Sequence, residues 1–297
     1  MIFVSLAIFA CDDYLDTIKI SGFLQNLRSG RDTLPRGLAL LALMMCILPL
    51  AAKELTLIFK AKQIQASQLM MTLASLSGCL LIYALPQNLN GPFTMVIFAT
   101  LAVVLLLLAL VKHAYRTHST DGATAAAAAT MFSLVYLGIL PGFLLAIRRW
   151  HASPWVVLAI ILIPKMCDTG AYFTGRAFGK HKLIPWLSPG KTWEGLIGGA
   201  CFSAFVAFAL AYLNNRFQLT VHHFDPFRST LAGLIMGLAG QFGDLIASLL
   251  KRDAQIKDSG NTIPGFGGII DVLDSPLVVA PLAYWLLQAG QYIEHTL

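Results

Sequence analysis

The sequence is poor in charged residues. Asp, Glu, Lys and Arg make up only 12% of its 297 residues, whereas about 25% is usual for a soluble domain. A soluble fold needs charge to cover its surface, so this shortage excludes an ordinary water-soluble protein. Because 57% of the residues are hydrophobic, we expect lipid to surround most of the exterior.

Paired cysteines are missing as well. The cysteines are scattered along the chain, and no two of them form a Cys-x-x-Cys motif. Neither a disulfide framework nor a thiolate zinc site is therefore supported. We expect the following residues to act as small buried hydrophobic side chains: Cys11, Cys46, Cys79, Cys167 and Cys201.

The chain also lacks a basic patch with interleaved aromatic residues, so its net charge of +6 does not indicate nucleic-acid binding. It has no polar stretch long enough for a soluble domain. The apolar opening Met1–Ala10 has neither the basic start nor the small-residue cleavage site of a signal peptide. It is too short to span a bilayer, and it suits part of a further helix.

What the chain has is a series of apolar runs, each close to the ~20 residues that a transmembrane helix needs. We predict an all-α polytopic membrane protein with about eight or nine transmembrane helices in one membrane domain. Residues 1–154 form a scaffold that is available for dimer contacts, and residues 155–297 form the catalytic half. The convincing runs are Leu38–Phe59, Leu69–Leu85, Phe93–Val111, Ala123–Ile147, Trp155–Phe173, Leu196–Leu213, Leu231–Leu250 and Ile269–Ala289.

The distribution of Lys and Arg predicts the orientation of these helices. When the loop Pro86–Pro92, which has neither residue, is placed outside, the inner loops carry more Lys and Arg than the outer loops. The two most polar loops, Gly175–Lys191 and Lys251–Gly268, then lie on the cytoplasmic side. We therefore expect a multi-pass protein of the inner (cytoplasmic) membrane whose active site faces the cytoplasm.

Ionisable residues within the apolar runs are concentrated in the last four helices. Such groups are costly in a membrane, and they usually pair with one another or mark a functional site. Lys165 and Asp168 are three residues apart and can neutralise each other. Glu54, the main exception in the first half, lies near a helix end and is expected at the membrane interface. The clustered residues are Lys165, Asp168, Asp244, Asp271 and Asp274.

The segment that joins the last two helices combines carboxylates, cations and a glycine-rich turn. Asp244, Ser248 and Lys251 share one helix face, because they are spaced i, i+4 and i+7. Asp271 and Asp274 share a face in the first turns of the next helix. Paired carboxylates beside phosphate-binding cations suit Mg²⁺-assisted phosphoryl or nucleotidyl transfer.

The same segment offers several groups that can bind phosphate. Lys251, Arg252 and Lys257 supply cations at the cytoplasmic end of their helix. In the turn that follows, the main-chain N–H groups of Gly267 and Gly268 can approach a phosphate, and the next helix N-terminus favours an anion. The segment therefore predicts a nucleotide-phosphate site.

A long spaced pattern runs through this segment: Ser248, Lys251, Arg252, Lys257, Asp258, Pro264, Gly267, Gly268, Asp271 and Asp274. It resembles the signature of the phosphatidate cytidylyltransferases, also called CDP-diglyceride synthetases. Two positions depart from that signature: Phe266 stands where the family usually has His, and Val272 where it usually has Arg. The first change argues against an imidazole acid or base there, and the second removes one cation. All the carboxylates of the signature are retained.

A second stretch also resembles this family. It contains Asp168-Thr-Gly-Ala-Tyr-Phe-Thr-Gly and Ser188-Pro-Gly-Lys-Thr-Trp-Glu-Gly, with Gly190 in place of the first of two basic residues. It does not form a P-loop, because Pro185 stands where that motif needs Gly and no strand is expected before Gly190. Lys191 is instead expected to bind a CTP phosphate as a point charge.

The resemblance implies that CTP and phosphatidic acid react to give CDP-diacylglycerol and pyrophosphate in phospholipid biosynthesis. The phosphate of phosphatidic acid would attack the α-phosphorus of CTP in line, so no protein nucleophile is needed. The resemblance also implies Mg²⁺, with room for a second cation, and a homodimer in membrane lipid. The implied residues are catalytic Asp244, Asp271, Asp274 and Lys251; substrate-binding Lys191, Ser248, Arg252, Lys257, Gly267, Gly268 and Asp168; and metal-binding Asp244, Asp271, Asp274 and Asp258.

Other functions are compatible with parts of the pattern. A related CTP-dependent enzyme that acts on another lipid phosphate or on a polyprenol would keep the same carboxylates. A membrane transporter also uses buried Asp and Lys, but it often has repeats in both halves, whereas the polar groups here crowd one half. The motif Asp12-Asp-Tyr-Leu-Asp resembles that of prenyltransferases. It lies outside the apolar runs, however, and on the membrane face opposite the predicted cytoplasmic site. Simple helix or turn capping is an alternative role for the aspartates, and it suits Asp258 equally well.

Overall fold

The computed structural model consists mainly of long helices. It describes residues 10–14, 35–85, 89–150, 153–220, 223–256, 259–260 and 267–296, with the backbone alone at residues 150 and 290–296. A π-helical segment, Leu134–Ile139, joins α4 to α5. The helices are α1 (Leu38–Ala61), α2 (Gln68–Ala84), α3 (Gly91–Thr117), α4 (Ala123–Ser133), α5 (Leu140–Trp150), α6 (Pro154–Phe178), α7 (Trp193–Phe217), α8 (Pro226–Asp253) and α9 (Ile269–Thr296).

The described helices match the predicted membrane spans. Seven are long and apolar enough to cross a membrane when α4, the π-helical segment and α5 count as one, and α2 is a shorter apolar helix of 17 residues. Every predicted run is therefore helical, and the prediction of an all-α polytopic membrane protein is confirmed. Of the apolar opening, residues 1–9 lie outside the described residues, and Ala10 begins a helical turn over residues 10–14.

A small antiparallel hairpin separates α6 from α7. Its strands are β1 (Lys182–Ile184) and β2 (Ser188–Thr192). The expectation that no strand precedes Gly190 is wrong. These strands are short and only partly buried, and they lack the alternating apolar pattern that identifies a strand in a sequence. A P-loop is still excluded, because Gly190 and Lys191 lie within β2 and not in a loop that follows a strand.

Glycines on α8 bring this helix close to α6 and α9. A Cβ atom added at Gly240 would lie 2.5 Å from Cβ of Pro164 on α6. One added at Gly243 would lie 2.5 Å from the carbonyl oxygen of Asp274 on α9. Small residues permit such close backbone approach between membrane helices. This packing places the polar residues of α6, α8 and α9 side by side.

A buried ion pair lies at the end of the bundle opposite the hairpin. Oδ2 of Asp12 contacts Nε of Arg148 on α5, and both side chains are almost fully buried. Oδ1 of Asp12 accepts a hydrogen bond of 3.0 Å from the backbone N–H of Ala39 on α1. Asp12 therefore holds residues 10–14 against α1 and α5, which is a structural role and not that of a prenyltransferase aspartate.

Candidate active site

Three lysine–aspartate pairs connect the elements of the C-terminal half. The first pair joins the hairpin to α8: Nζ of Lys191 lies 2.6 Å from Oδ2 of Asp244 and 2.8 Å from Oε1 of Gln241. Gln241 donates a hydrogen bond of 2.6 Å from Nε2 to Oδ1 of Asp168 on α6. A continuous polar network therefore runs from β2 through α8 to α6.

The second pair joins α6 to α9. Nζ of Lys165 lies 3.0 Å from Oδ1 of Asp274 and 3.6 Å from Oδ2 of Asp168. Asp274 is buried, and its Oδ1 also accepts a hydrogen bond of 3.0 Å from the hydroxyl of Ser275. The expected pairing of Lys165 with Asp168 is confirmed, and the lysine bridges that carboxylate to a second one on α9.

The third pair joins α8 to α9. Nζ of Lys251 lies 2.6 Å from Oδ1 of Asp271. Oδ2 of Asp271 accepts hydrogen bonds from the backbone N–H of Gly268 at 3.1 Å and from the hydroxyl of Ser259 at 3.0 Å. Both carboxylate oxygens are therefore engaged by protein donors. Asp271 caps the start of α9 as well as holding Lys251, so the capping role considered from the sequence applies in part.

Glu54 of α1 holds the start of α9 from another side. We expected this residue at the membrane interface; the structure buries it within the protein, where only 3% of it is exposed. Its Oε1 accepts a hydrogen bond of 2.9 Å from the N–H of Ile269, and its Oε2 one of 3.0 Å from the N–H of Ile270. The first N–H groups of a helix have no partner within the helix, and a carboxylate also interacts favourably with the helix dipole there. The signal in the sequence was an acidic residue within an apolar run.

The aspartates of this network differ in accessibility. The exposed fraction of the side chain is 35% for Asp168 and 32% for Asp244. It is only 17% for Asp271 and 7% for Asp274. A substrate or ion that approaches the network can therefore reach Asp168 and Asp244 first, together with Lys165, whose side chain is 34% exposed.

For the other predicted site residues, the structure gives the burial or the backbone conformation of some and does not describe the rest. On α8, Ser248 is half-buried and Arg252 is exposed. Gly267 has a φ of 86°, a left-handed conformation that favours glycine, so the turn before α9 depends on this residue. The predicted roles of Lys257 and Asp258 fall outside the described residues.

The carboxylates can be compared with the needs of a metal ion. The described residues contain no group of three or more His, Cys, Asp or Glu side chains that could hold one. Mg²⁺, however, commonly binds through one or two carboxylates together with the phosphate oxygens of its nucleotide. Asp244 is partly exposed and contacts Lys191 through one oxygen only, so it fits an ion that arrives with a nucleotide.

The chain resembles known proteins over a region that contains this whole network. The sequence pattern of the cytidylyltransferase family matches residues 33–289. The chain is 38% identical over 215 residues to a phosphatidate cytidylyltransferase of Staphylococcus aureus (strain COL), covering 70% of this chain and 76% of that protein. It is also 38% identical over 194 residues to a phosphatidate cytidylyltransferase of Bacillus subtilis (strain 168), covering 64% of this chain and 66% of that protein.

Proposed function

The chain belongs to the cytidylyltransferase family, and we infer that it transfers CMP from CTP to phosphatidic acid in the membrane. The products are CDP-diacylglycerol and pyrophosphate, so the protein is a nucleotidyltransferase of phospholipid biosynthesis. The observation that carries this inference is the network of lysine–aspartate pairs that extends from the middle of a membrane-spanning bundle to one end, inside the region that the family pattern matches.

The substrates themselves supply the reacting groups. A phosphate oxygen of phosphatidic acid bonds to the α-phosphorus of CTP, and the bond from that phosphorus to the oxygen shared with the β-phosphorus breaks. Pyrophosphate leaves with the electrons of the broken bond. The protein therefore has to align two phosphates and neutralise their charge, and it needs no nucleophile of its own.

The paired lysines can perform this neutralisation. Lys191 and Lys251 each hold an aspartate at 2.6 Å, an arrangement that keeps charge balanced when no substrate is bound. Phosphate oxygens of CTP can replace these carboxylate oxygens at a similar distance, because an ammonium group has three donors and no fixed geometry. We expect Ser248, Arg252 and the N–H groups of the glycine turn to contribute further phosphate contacts.

We propose that Mg²⁺ arrives with CTP and is held by Asp244 and Asp274. Among the described residues, neither aspartate uses both of its oxygens, whereas both oxygens of Asp271 are engaged. The ion would neutralise charge on the transferred phosphoryl group. Asp271 then positions Lys251 and the turn before α9, and Asp258 stays a predicted ligand.

The orientation and the assembly are also proposals. The end of the bundle that carries the hairpin and Lys251 is the end with the Lys- and Arg-rich loops, so we place it at the cytoplasmic face of the inner membrane. CTP would enter from water there, and phosphatidic acid would enter from the lipid. We also propose the homodimer that the family resemblance implies, which chemical cross-linking in native membranes can test.

The full chain, purified in detergent, should convert labelled CTP and phosphatidic acid into labelled CDP-diacylglycerol when Mg²⁺ is present. EDTA should abolish this activity, and added Mg²⁺ should restore it, because clustered carboxylates without His or thiolate partners favour a hard cation. Chromatography of the lipid product measures the reaction, and a polyprenyl phosphate is the control acceptor. Labelling of the polyprenyl phosphate alone would contradict the substrate, and full activity in metal-free buffer would contradict the metal.

Glu54→Ala should lower both the stability of the protein and kcat. A buried donor left without a partner costs about 1–3 kcal/mol, and this change removes the acceptor of two N–H groups of α9. Because Asp271 and Asp274 lie in the first turns of α9, we expect kcat to fall by about tenfold or more. Glu54→Gln keeps one acceptor oxygen, so its stability and kcat should lie between those of the wild type and those of Glu54→Ala. Lys53 is the exposed neighbour of Glu54, and Lys53→Ala serves as the control that should leave both quantities unchanged. Unchanged melting temperature and kcat in Glu54→Ala would disprove the capping role.

A further inference from the structure

A pocket with a cationic lining lies in the N-terminal half of the bundle, apart from the lysine–aspartate network. It has a volume of about 340 Å³ and is formed by the turn between α1 and α2 together with α3 and α4. This volume falls within the range of roughly 300–1,000 Å³ that is typical of small-molecule sites. Three cationic side chains line it, namely Lys60, Lys112 and Arg116, and no Asp or Glu does.

Among the described residues, no carboxylate forms an ion pair with the cations of this pocket. Lys112 and Arg116 share a face of α3 because they are spaced i, i+4, and Lys60 approaches from the end of α1. In the part of the chain that the structure describes, none of these three residues has an ion-pair partner. In the active-site network, by contrast, each lysine contacts an aspartate. An anion is therefore the ligand that would balance this pocket.

The remaining lining of the pocket suits a phosphate group attached to an apolar body. The hydroxyl of Ser67 lines it together with the cations and can donate a hydrogen bond to a phosphate oxygen, whereas the hydroxyls of Thr117 and Thr130 donate to the backbone carbonyl oxygens of His113 and Ala126. Met70 and Ala109 add apolar surface. A ligand with a charged head and a hydrocarbon part would satisfy both kinds of surface.

The position of the pocket favours a lipid over a soluble phosphate compound. Lys62, two residues after the lining Lys60, forms an ion pair of 2.8 Å with Asp253 at the end of α8, so the pocket lies at the same membrane face as Lys251. Only 11% of the apolar span of α3 is buried. Beside the pocket's cations on this helix, Val111 is 66% and Tyr115 is 81% exposed, and exposed tyrosines are typical of the headgroup level of a bilayer.

We propose that this pocket binds the phosphate group of an anionic phospholipid. The phosphate contacts Lys60, Lys112 and Arg116, and the acyl chains lie along the lipid-facing surface of α3. Basic pockets between transmembrane helices on the cytoplasmic side are known to hold anionic lipid headgroups. The proposal is independent of the CTP reaction, because none of these residues belongs to the active-site network.

The test uses the full chain, stripped of lipid in a neutral detergent and titrated with phosphatidylglycerol, which is neither substrate nor product of the proposed reaction. Native mass spectrometry counts the bound lipids and gives the dissociation constant of the tightest one. The double substitution Lys112→Gln and Arg116→Gln should weaken that binding on the order of thirtyfold, since each cation near the surface strengthens the attraction about fivefold. The double substitution Lys180→Gln and Lys182→Gln removes the same charge from exposed positions at the same membrane face and should change it less than twofold.

A second variant guards against misfolding. Arg116→Glu changes an exposed side chain and should weaken the lipid binding at least as strongly, with an unchanged melting temperature. Equal lipid binding by the wild type and by both pocket variants would overturn the proposal. Glycerol 3-phosphate is titrated in parallel; displacement of the lipid by this soluble compound at similar concentrations would show that the pocket recognises free phosphate esters, and it would overturn the assignment to a lipid.

Discussion

Asp244→Asn is expected to lower kcat by about a hundredfold or more, because the loss of one charge contact in the transition state costs on the order of 3 kcal/mol. Asparagine keeps the shape of the side chain but cannot hold Mg²⁺ as a carboxylate does. The partner Lys191 also loses the charge that lies 2.6 Å from its Nζ. Initial rates at saturating CTP and phosphatidic acid measure kcat, and the Mg²⁺ concentration for half-maximal rate should rise at the same time.

The same helix offers a matched control for this change. Asp253 is the last residue of α8. Its side chain is 62% exposed and forms an ion pair of 2.8 Å with Lys62. A surface pair of this kind contributes about 0–1 kcal/mol, so Asp253→Asn should keep kcat within twofold of the wild type. Near-normal turnover in Asp244→Asn, with the control equally active, would rule out the proposed role of Asp244 in binding the metal.

Arg148→Met is expected to reduce the free energy of unfolding by about 3–5 kcal/mol, the usual cost of removing one partner from a buried ion pair. The change leaves the carboxylate of Asp12 buried without its cation. Unfolding can be followed as an increase in labelling by a thiol-reactive fluorophore, because Cys79 and Cys167 are fully buried in the folded protein. The expectation that Cys11, Cys46 and Cys201 are buried is wrong, so these exposed cysteines react before unfolding and set the baseline. The melting temperature in detergent should therefore fall clearly while the active-site network is left intact.

Two comparisons make this prediction specific. Arg228→Met breaks an exposed pair with Asp225 at the same end of the bundle and should change the melting temperature little. The double variant Asp12→Leu and Arg148→Met removes both charges and should recover much of the lost stability, since the desolvation cost disappears with them. A melting temperature of Arg148→Met equal to that of the wild type would show that the pair does not stabilise the fold.

The sequence alone was sufficient for the membrane fold. A spanning helix must satisfy its own backbone hydrogen bonds and must be apolar over its whole length, so the apolar runs locate the helices directly. The ends of α1 and α8 agree with the predicted runs to within a few residues. The hairpin between α6 and α7 was missed, because its short strands carry no alternating apolar pattern.

The sequence also located the residues of the candidate site, but not their partners. The spacing of Asp271 and Asp274 predicts a shared helix face, and the family resemblance identifies the cations nearby. Which lysine each aspartate contacts depends on how the helices are rotated against one another. The close approach at Gly240 and Gly243 decides that rotation, and the periodicity of a single helix contains no information about it.

Glu54 and Asp12 show what only the tertiary structure decided. Glu54 caps a helix whose first N–H lies 215 residues further along the chain, and Asp12 neutralises an arginine 136 residues away. In the sequence Glu54 is a single acidic residue within an apolar run, and Asp12 is one of three aspartates beside another. Such positions indicate that a charge is costly, but not which groups stabilise it. A buried charge is stabilised by whichever donors the packed helices bring to it, and a contact between such distant residues exists only once the bundle has formed.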